Sequence, residues 1–507
     1  MSLMLFSSID QLNKRKEAEL LVLPFWQSPK KRAKIKLAKS AATLGAELEP
    51  LLRPVLETGD FGGELGETVL LYMQGQKEPR CLLLGLGKEE NLTVECLRQA
   101  YSNATKICQK KGITKANVVA PTISELRKVS LEDCLKGIAE GIFLTNYKWE
   151  KLASLAEETV LLKSICFIGV QPSHLSIVKE CSHIAEGVYL ARDLINGNAD
   201  IVTPRYLAES ARKIAQKFPS VRATVFDKDR IEKEKMGLLL AVARGAAVDP
   251  AFIILSYKGH PGSKEHTIIV GKGVTFDTGG LNVKPHASMS TMRDDMSGAA
   301  TAISTVAVAA ALGLKLNVTA VVAAAENATG SKSYKPGDVY VSYNGTTVEI
   351  VDTDAEGRLT LADALAYSVK ELKPTRLIDL ATLTGSMVVA LGEGMSGLFC
   401  NDEKLAGALL ESGTRTAEML WRMPLYEPYK DQLKSDIADM KNVAGRAAGA
   451  IIAGLFLQEF VHNLPWAHID IAGTAFGAKE KGYWPKNGIG FGVRLLVDFL
   501  QRQIKKN

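Results

Sequence analysis

Two stretches of this 507-residue chain carry side chains that could do chemistry together. The first, GKGVTFDTGGLNVKPHASMSTMRDDMSGAA, holds Lys272, Asp277, Lys284 and Asp295 in turn. The second, VDTDAEGRLT, sets Asp352, Asp354 and Glu356 at alternate positions and adds Arg358 two residues on. Gathered carboxylates repel one another, and protonation, a paired Arg or Lys, or metal ions must offset that repulsion. A single carboxylate pair would be explained by a surface ion-pair network. Here Asp277, Asp295, Asp354 and Glu356 come in two groups, each with its own cations, and Gly271, Gly273, Gly279 and Gly280 let the backbone approach closely. Divalent ions are the more economical explanation. Oxygen donors suit Mg2+ or Mn2+, and Zn2+ also fits where two metals share bridging carboxylates. Such ions would sit about 3.5–4 Å apart and generate a hydroxide between them.

Rival signatures are weak. There is no HExxH, no GxxxxGK[ST] and no GxGxxG at 271–280. Of the seven histidines, His266 and His468 precede apolar strand runs and read as structural. His286 follows Lys284-Pro285 and reads as an ordinary loop residue near the site.

The elements that must position these residues are legible around them. HTIIVGKG (266–273), LNVTAVVAAA (316–325) and RLIDLATLTG (376–385) are apolar, β-branched runs set between helical segments. That pattern predicts a sheet buried on both faces, with chemistry beyond the carboxyl ends of its strands. GTTVEIV (345–351) reads as a strand ending at the acids, and LTLADALAYSVKEL as the helix after them. Further upstream, ETVLLYM (67–73), RCLLLGLG (80–87), NVVAPTI (117–123) and LKSICFIGV (162–170) alternate with helical stretches. The fold class is α/β: a small N-terminal α/β domain over 1–170, for oligomerisation or regulation, and a larger catalytic α/β domain over 171–507. The latter is expected to hold a central mixed sheet flanked by helices. The helical stretch 176–198 links the two.

Composition narrows the classes. With 46% hydrophobic and 23% charged residues the chain reads as an ordinary globular protein. A net charge of +6 is too mild to argue for nucleic acid. The basic run KKRAKIKLAK (30–39) reads first as one solvated face, with a nucleic-acid patch as the alternative. The seven cysteines are odd in number and form no CxxC, which reads as reduced thiols in a cytoplasmic protein. The N-terminus does not read as a signal peptide, and no 18-residue apolar run reads as a membrane span.

DTDAEGRL differs at one position from NTDAEGRL, the signature of the leucyl aminopeptidase family of hexameric, cytosolic, two-metal enzymes. GKGVTFDTGG, LNVKP, MRDDMSGAA, DLATLTG, ADMKNVAGRAAGA and HIDIAGTA follow the family's order and spacing, over about 190–480. The chain is therefore identified as resembling that family. The resemblance implies that Lys272 is the unusual amine ligand of the more loosely held metal and that Asp277 is a carboxylate shared by both. Asp295 matches a ligand of the loose site, whereas Asp294 has no counterpart. Asp354 matches the ligand of the tighter metal, Glu356 the second bridging carboxylate, and Lys284 and Arg358 the two catalytic cations. A lysine ligates only as the neutral amine, so Lys272 must shed a proton against a reference pKa of ~10.4. Two dications nearby would favour that loss.

By the same resemblance, Met292, Thr382, Gly385, Ala472 and Ala475 line an apolar pocket for the first residue, preferring Leu- or Met-like side chains. Also implied are two divalent ions per subunit (Mn2+ or Zn2+, with Mg2+ a further option), a bicarbonate on Arg358, peptide substrates, no membrane partner, and a homohexamer. Three positions depart from the pattern. Asp352 replaces Asn, with raised metal affinity, a shifted pH optimum or a loop cap as its readings. Thr278 replaces Ser, and Ala475 is smaller than usual. An additional nucleic-acid-binding role of the N-terminal domain is the alternative function, and a phosphoesterase is thinly supported.

Overall fold

The computed structural model describes residues 4–27, 36–37, 45–122, 125–126, 128–149 and 159–504. Lys30, Lys31 and Arg32, and most of the basic run around them, lie outside the described residues. The chain forms two compact units, Met1–Ala185 with Lys479–Pro485, and Glu186–Ala478 with Lys486–Asn507. The division falls inside the helix Leu175–Asn196.

In the first unit the strand Leu20–Trp26 is buried along its whole length, as its unbroken apolar sequence requires. It pairs in parallel with Arg80–Gly85 on one side and Lys115–Val119 on the other. Ser164–Ile168 and Leu5–Ile9 extend the sheet in parallel, and Thr68–Tyr72 closes the far edge antiparallel. The helices Val94–Lys110 and Leu131–Thr145 pack on one another, their N-termini capped by Thr93 and Ser130. Buried charges here are paired: Arg15 with Glu78 at 3.0 Å, and Arg98 with Glu140 at 2.5 Å. All seven cysteines of the chain are unpaired.

The second unit is built on an eight-stranded mixed sheet. Its four central strands run parallel in the order Trp466–Asp470, Arg376–Ala381, His266–Asp277, Asn317–Asn327. Antiparallel pairings with Ser396–Cys400 and Ala251–Lys258 turn the sheet at both sides. Helices cover both faces. Ser297–Ala311 is buried from Ser297 through Ala309, and every residue of Gly357–Tyr367 is buried. Neither helix has a wet face, because each lies between the sheet and another helical layer. The core beneath Gly357–Tyr367 includes Ile268, Val270, Val321, Leu359 and Trp466.

Two local differences from the sequence reading bear on the site. The strand read as 266–273 continues to Asp277, so Asp277 ends it rather than lying beyond it. Its pairing with Arg376–Ala381 ends at Gly271–Leu380, while pairing with Asn317–Asn327 continues to Asp277–Asn327. Past Gly271, therefore, one side of the strand faces a crevice. The second strand is only Thr347–Glu349, and the acids lie in the turn that follows. The ladder stops there because the amide of Val351 donates to the side chain of Asn442 (2.8 Å) instead of to a strand.

Candidate metal centre

The crevice brings the two acidic stretches together. Asp277, at the carboxyl end of the central strand, offers an oxygen within 4.8 Å of oxygens from Asp354 and Glu356. Asp354 is held in the turn by its own amide, which donates to Asp352 Oδ1 at 2.8 Å. Glu356 stands at the start of helix Gly357–Tyr367 with its side chain free of any capping bond. Asp295 reaches the same place from the turn before helix Ser297–Ala311.

The lysines divide the acids between them. Lys272 Nζ lies 2.7 Å from Asp295 Oδ1, 2.8 Å from Glu356 Oε1, and donates to the carbonyl of Thr382 at 2.9 Å. Lys284 Nζ lies 2.8 Å from Asp277 Oδ2 and 2.5 Å from Asp354 Oδ1. Lys272 fits only because its neighbours are small. A Cβ on Gly357 would stand 2.5 Å from Lys272 Cε. A Cβ on Gly298 would stand 2.8 Å from the backbone nitrogen of Lys272.

Asn327, which the sequence reading passed over, ties the two stretches together. Its Nδ2 donates to Asp277 Oδ1 at 2.7 Å and to the carbonyl of Thr353 at 3.0 Å. The amide of Gly279 also donates to Asp277 Oδ1, at 2.8 Å. Thr353 in turn donates to the carbonyl of Gly279 at 2.7 Å, and Tyr334 donates to the carbonyl of Thr353 at 2.8 Å. The sequence signal for Asn327 was its place at the end of a strand beside the one carrying Asp277. Asn442 is the second omission. Its carbonyl accepts from Arg358 Nη1 at 2.9 Å, and its side chain holds the amides that precede Asp354.

The electrostatics follow from burial. Asp277 is pushed up to about 7 by burial and by Glu356, with Lys284 and Lys272 pulling the other way. Burial pushes Asp295 well up even with Lys272 beside it. Burial would also raise Glu356, but Lys272 and Lys284 together hold it below the usual range. Burial works against the charge on Lys272, yet Asp295 and Glu356 hold its ammonium above the ordinary lysine range. Burial lowers Arg358 to about 10.

Four carboxylates thus share two ammonium groups in a site where Lys272, Asp277, Asp295 and Glu356 are almost wholly inaccessible. The uncompensated negative charge is the kind that cations relieve. Asp295 Oδ2 and Glu356 Oε2 are buried with no hydrogen-bond partner. Those orphaned oxygens, together with the converging Asp277, Asp354 and Glu356, fit divalent ions. Asp277, Asp354 and Glu356 would serve as ligands, and so would Asp295 and, once neutral, Lys272. Asp294 is buried and pushed up to about 6 by burial; its carbonyl accepts from the hydroxyl of Ser297 at 2.5 Å, and its Oδ1 is likewise buried with no hydrogen-bond partner.

The departures acquire physical roles. Asp352 Oδ1 caps the amide of Asp354, which is a task Asn can also perform. Thr278 Oγ1 donates to the carbonyl of Asn327 at 2.9 Å, as a serine hydroxyl would. Among the pocket residues, Thr382 Oγ1 donates to Asp295 Oδ1 at 2.8 Å, and Met292 opens the short turn leading to Asp295. Gly385 starts an exposed helix, Ala472 donates its amide to Asp470 at 3.1 Å, and Ala475 is buried. His286 is exposed on a short helix. His266 bonds Thr319 at 2.8 Å and His468 bonds Asp379 at 2.6 Å, both within the sheet.

Comparison with known proteins points to one family. Residues 189–497 match the model of the cytosol aminopeptidase family, catalytic domain, and residues 22–154 match that family's N-terminal domain. A probable cytosol aminopeptidase of Protochlamydia amoebophila is 49% identical, over 97% of each chain. One from Chlamydia felis is 50% identical, over 99% of this chain and all of that one. Among solved structures, a mutant of tomato leucine aminopeptidase superposes with a TM-score of 0.87 at 32% identity, covering 98% of this chain and 96% of that one. The bottromycin maturation enzyme BotP in complex with Mn gives 0.84 at 29% identity, covering 96% and 99%.

Proposed function

Since the chain belongs to the cytosol aminopeptidase family and is a metal-dependent aminopeptidase, we propose the finer reading that it removes Leu- or Met-like N-terminal residues from peptides in the cytoplasm. The observation that carries the reaction centre is the convergence of Asp277, Asp354 and Glu356 around orphaned carboxylate oxygens. Asp277 and Glu356 would be shared between the two ions, Asp354 would serve the tighter one, and Lys272 and Asp295 would serve the looser one. When bound, a pair of Mn2+ or Zn2+ ions would supply Lewis acidity and a hydroxide nucleophile.

The chain's own residues then have distinct tasks. The peptide's free α-amine is received on the Lys272–Asp295 side, which restricts cleavage to the first residue. Lys284 keeps its charge, because burial is outweighed by Asp277 and the other acids around it. It meets negative charge developing on the scissile carbonyl oxygen. Arg358 is buried with its Nε unpartnered, and it would hold a bicarbonate ion able to relay the proton. Met292, Thr382, Gly385, Ala472 and Ala475 receive the first side chain, and an apolar pocket there disfavours Asp or Glu by desolvation. The active form is a homohexamer, with the N-terminal domain serving assembly or regulation.

A panel of aminoacyl amides tests the reading. The chelated protein is inactive, and Mn2+ or Zn2+ restores hydrolysis of leucyl and methionyl amides above aspartyl amide. Lys284→Ala lowers kcat by about 10²–10³. Hydrolysis that persists in the metal-free protein, or an aspartyl preference, would refute it.

A further inference from the structure

A cavity of about 410 Å³ opens between the helix Gly385–Leu391 and the start of the helix Gly449–Gln458. Val389, Ala390, Met423 and Ile451 give it apolar walls, and apart from Ser386 the polar group on its lining is Arg446. Val389 is 89% exposed and a Cβ on Gly385 would meet open space, so the wall is accessible. Arg446 is exposed as well.

Both walls are tethered by short stretches of chain to residues that contact the cations of the metal centre. Gly385 is three residues beyond Thr382, whose carbonyl accepts from Lys272. Arg446 is four residues beyond Asn442, whose carbonyl accepts from Arg358. At about 3.3–3.6 Å per residue those tethers reach at most about 11 and 14 Å. A tripeptide extends about 10 Å on the same scale. Of the residues assigned above to the first side chain, Gly385 also lines this cavity, whereas Met292, Thr382, Ala472 and Ala475 do not. The first residue of a peptide also carries no backbone carboxylate that an arginine would meet.

We propose that this cavity receives the C-terminal end of a short peptide substrate, with an apolar side chain between the helices and the free carboxylate on Arg446. The inference rests on the aminopeptidase reading and extends it to the leaving part of the substrate. It makes the protein selective for small peptides with free C-termini over long or amidated ones.

The test compares Leu-Gly-Phe with its C-terminal amide on the Mn2+-loaded enzyme. The free acid is expected to have a kcat/KM about five-fold higher, the scale of one exposed ion pair. That ratio falls as salt rises, since exposed charges are screened. Arg446→Gln brings it close to one, and Arg446→Lys retains most of it. Ala390→Trp, which fills the cavity, removes the preference for Leu-Gly-Phe over Leu-Gly-Gly. Equal rates for acid and amide in the unmodified enzyme, or a ratio that survives Arg446→Gln, would overturn this inference and leave the aminopeptidase reading standing. Failure to cleave either peptide would overturn both, at the earlier step.

Discussion

Replacing Gly357 by alanine puts one methyl group against the lysine at the heart of the site. The added Cβ would lie 2.5 Å from Lys272 Cε and 2.7 Å from its Nζ. Non-bonded carbon atoms settle near 3.5–4.0 Å, so the lysine end must move by about 1 Å. Lysine tips usually yield easily, but this one is buried and bonded to Asp295, Glu356 and Thr382 at 2.7–2.9 Å. A shift of that size takes at least one of those bonds out of hydrogen-bonding range. Overpacking costs about 1–3 kcal/mol, and a lost charge-assisted bond a further ~1.5–3 kcal/mol. Against this, Ala is favoured over Gly in a helix by about 1 kcal/mol. The net expectation is a loss of about 2–5 kcal/mol, from opposing terms that would stabilise an ordinary helix. Urea unfolding of the metal-free protein measures it. Activity on leucyl amide should fall by about 10², the scale of a 1 Å misplacement at a reacting centre. A variant that is more stable by about 1 kcal/mol and fully active would show that Lys272 is not confined as described, and the reasoning would fail.

Other outcomes follow from the same contacts. Asn327→Ala removes the donor shared by Asp277 and Thr353, and should weaken Mn2+ binding by about 10–100-fold in titration calorimetry; unchanged affinity would deny it a positioning role. Asp363 accepts from the amides of Leu238, Leu239 and Tyr343 at 2.8–3.0 Å, although burial pushes its carboxyl up to about 7. Asp363→Asn turns one acceptor into a donor facing those amides and should cost about 3 kcal/mol in urea unfolding; a loss below 1 kcal/mol would contradict it. Burial would lower the His468 pKa, but Asp379 at 2.6 Å outweighs it and raises it. Its stabilisation is therefore complete below the unfolded value of about 6.5 and is lost as pH rises through the higher folded value. Urea midpoints should decline across that window in the unmodified protein and flatten in His468→Gln; identical profiles would rule out this titration.

Periodic and local signals were readable without coordinates. Apolar runs of the right length produced the strands Arg80–Gly85, Asn317–Asn327 and Arg376–Ala381. The site residues were legible because acids, lysines and glycines are conspicuous among apolar strands. Element ends were less legible. The strand through Lys272 runs on because its neighbour Asn317–Asn327 continues beside it, and the strand before Asp352 stops early because Asn442, some ninety positions away, takes its amides.

The sequence by itself determined which groups the protein has for its chemistry, since side-chain type and chain-local spacing are written in it. Only the tertiary structure decided that Asp277, Asp354 and Glu356 meet, that Lys272 and Lys284 divide the acids, and that Asn327 and Asn442 hold the turn in place. Those facts depend on how neighbouring strands end, on which glycines leave room, and on burial that strengthens each charge interaction. None of these is a property of one stretch of chain.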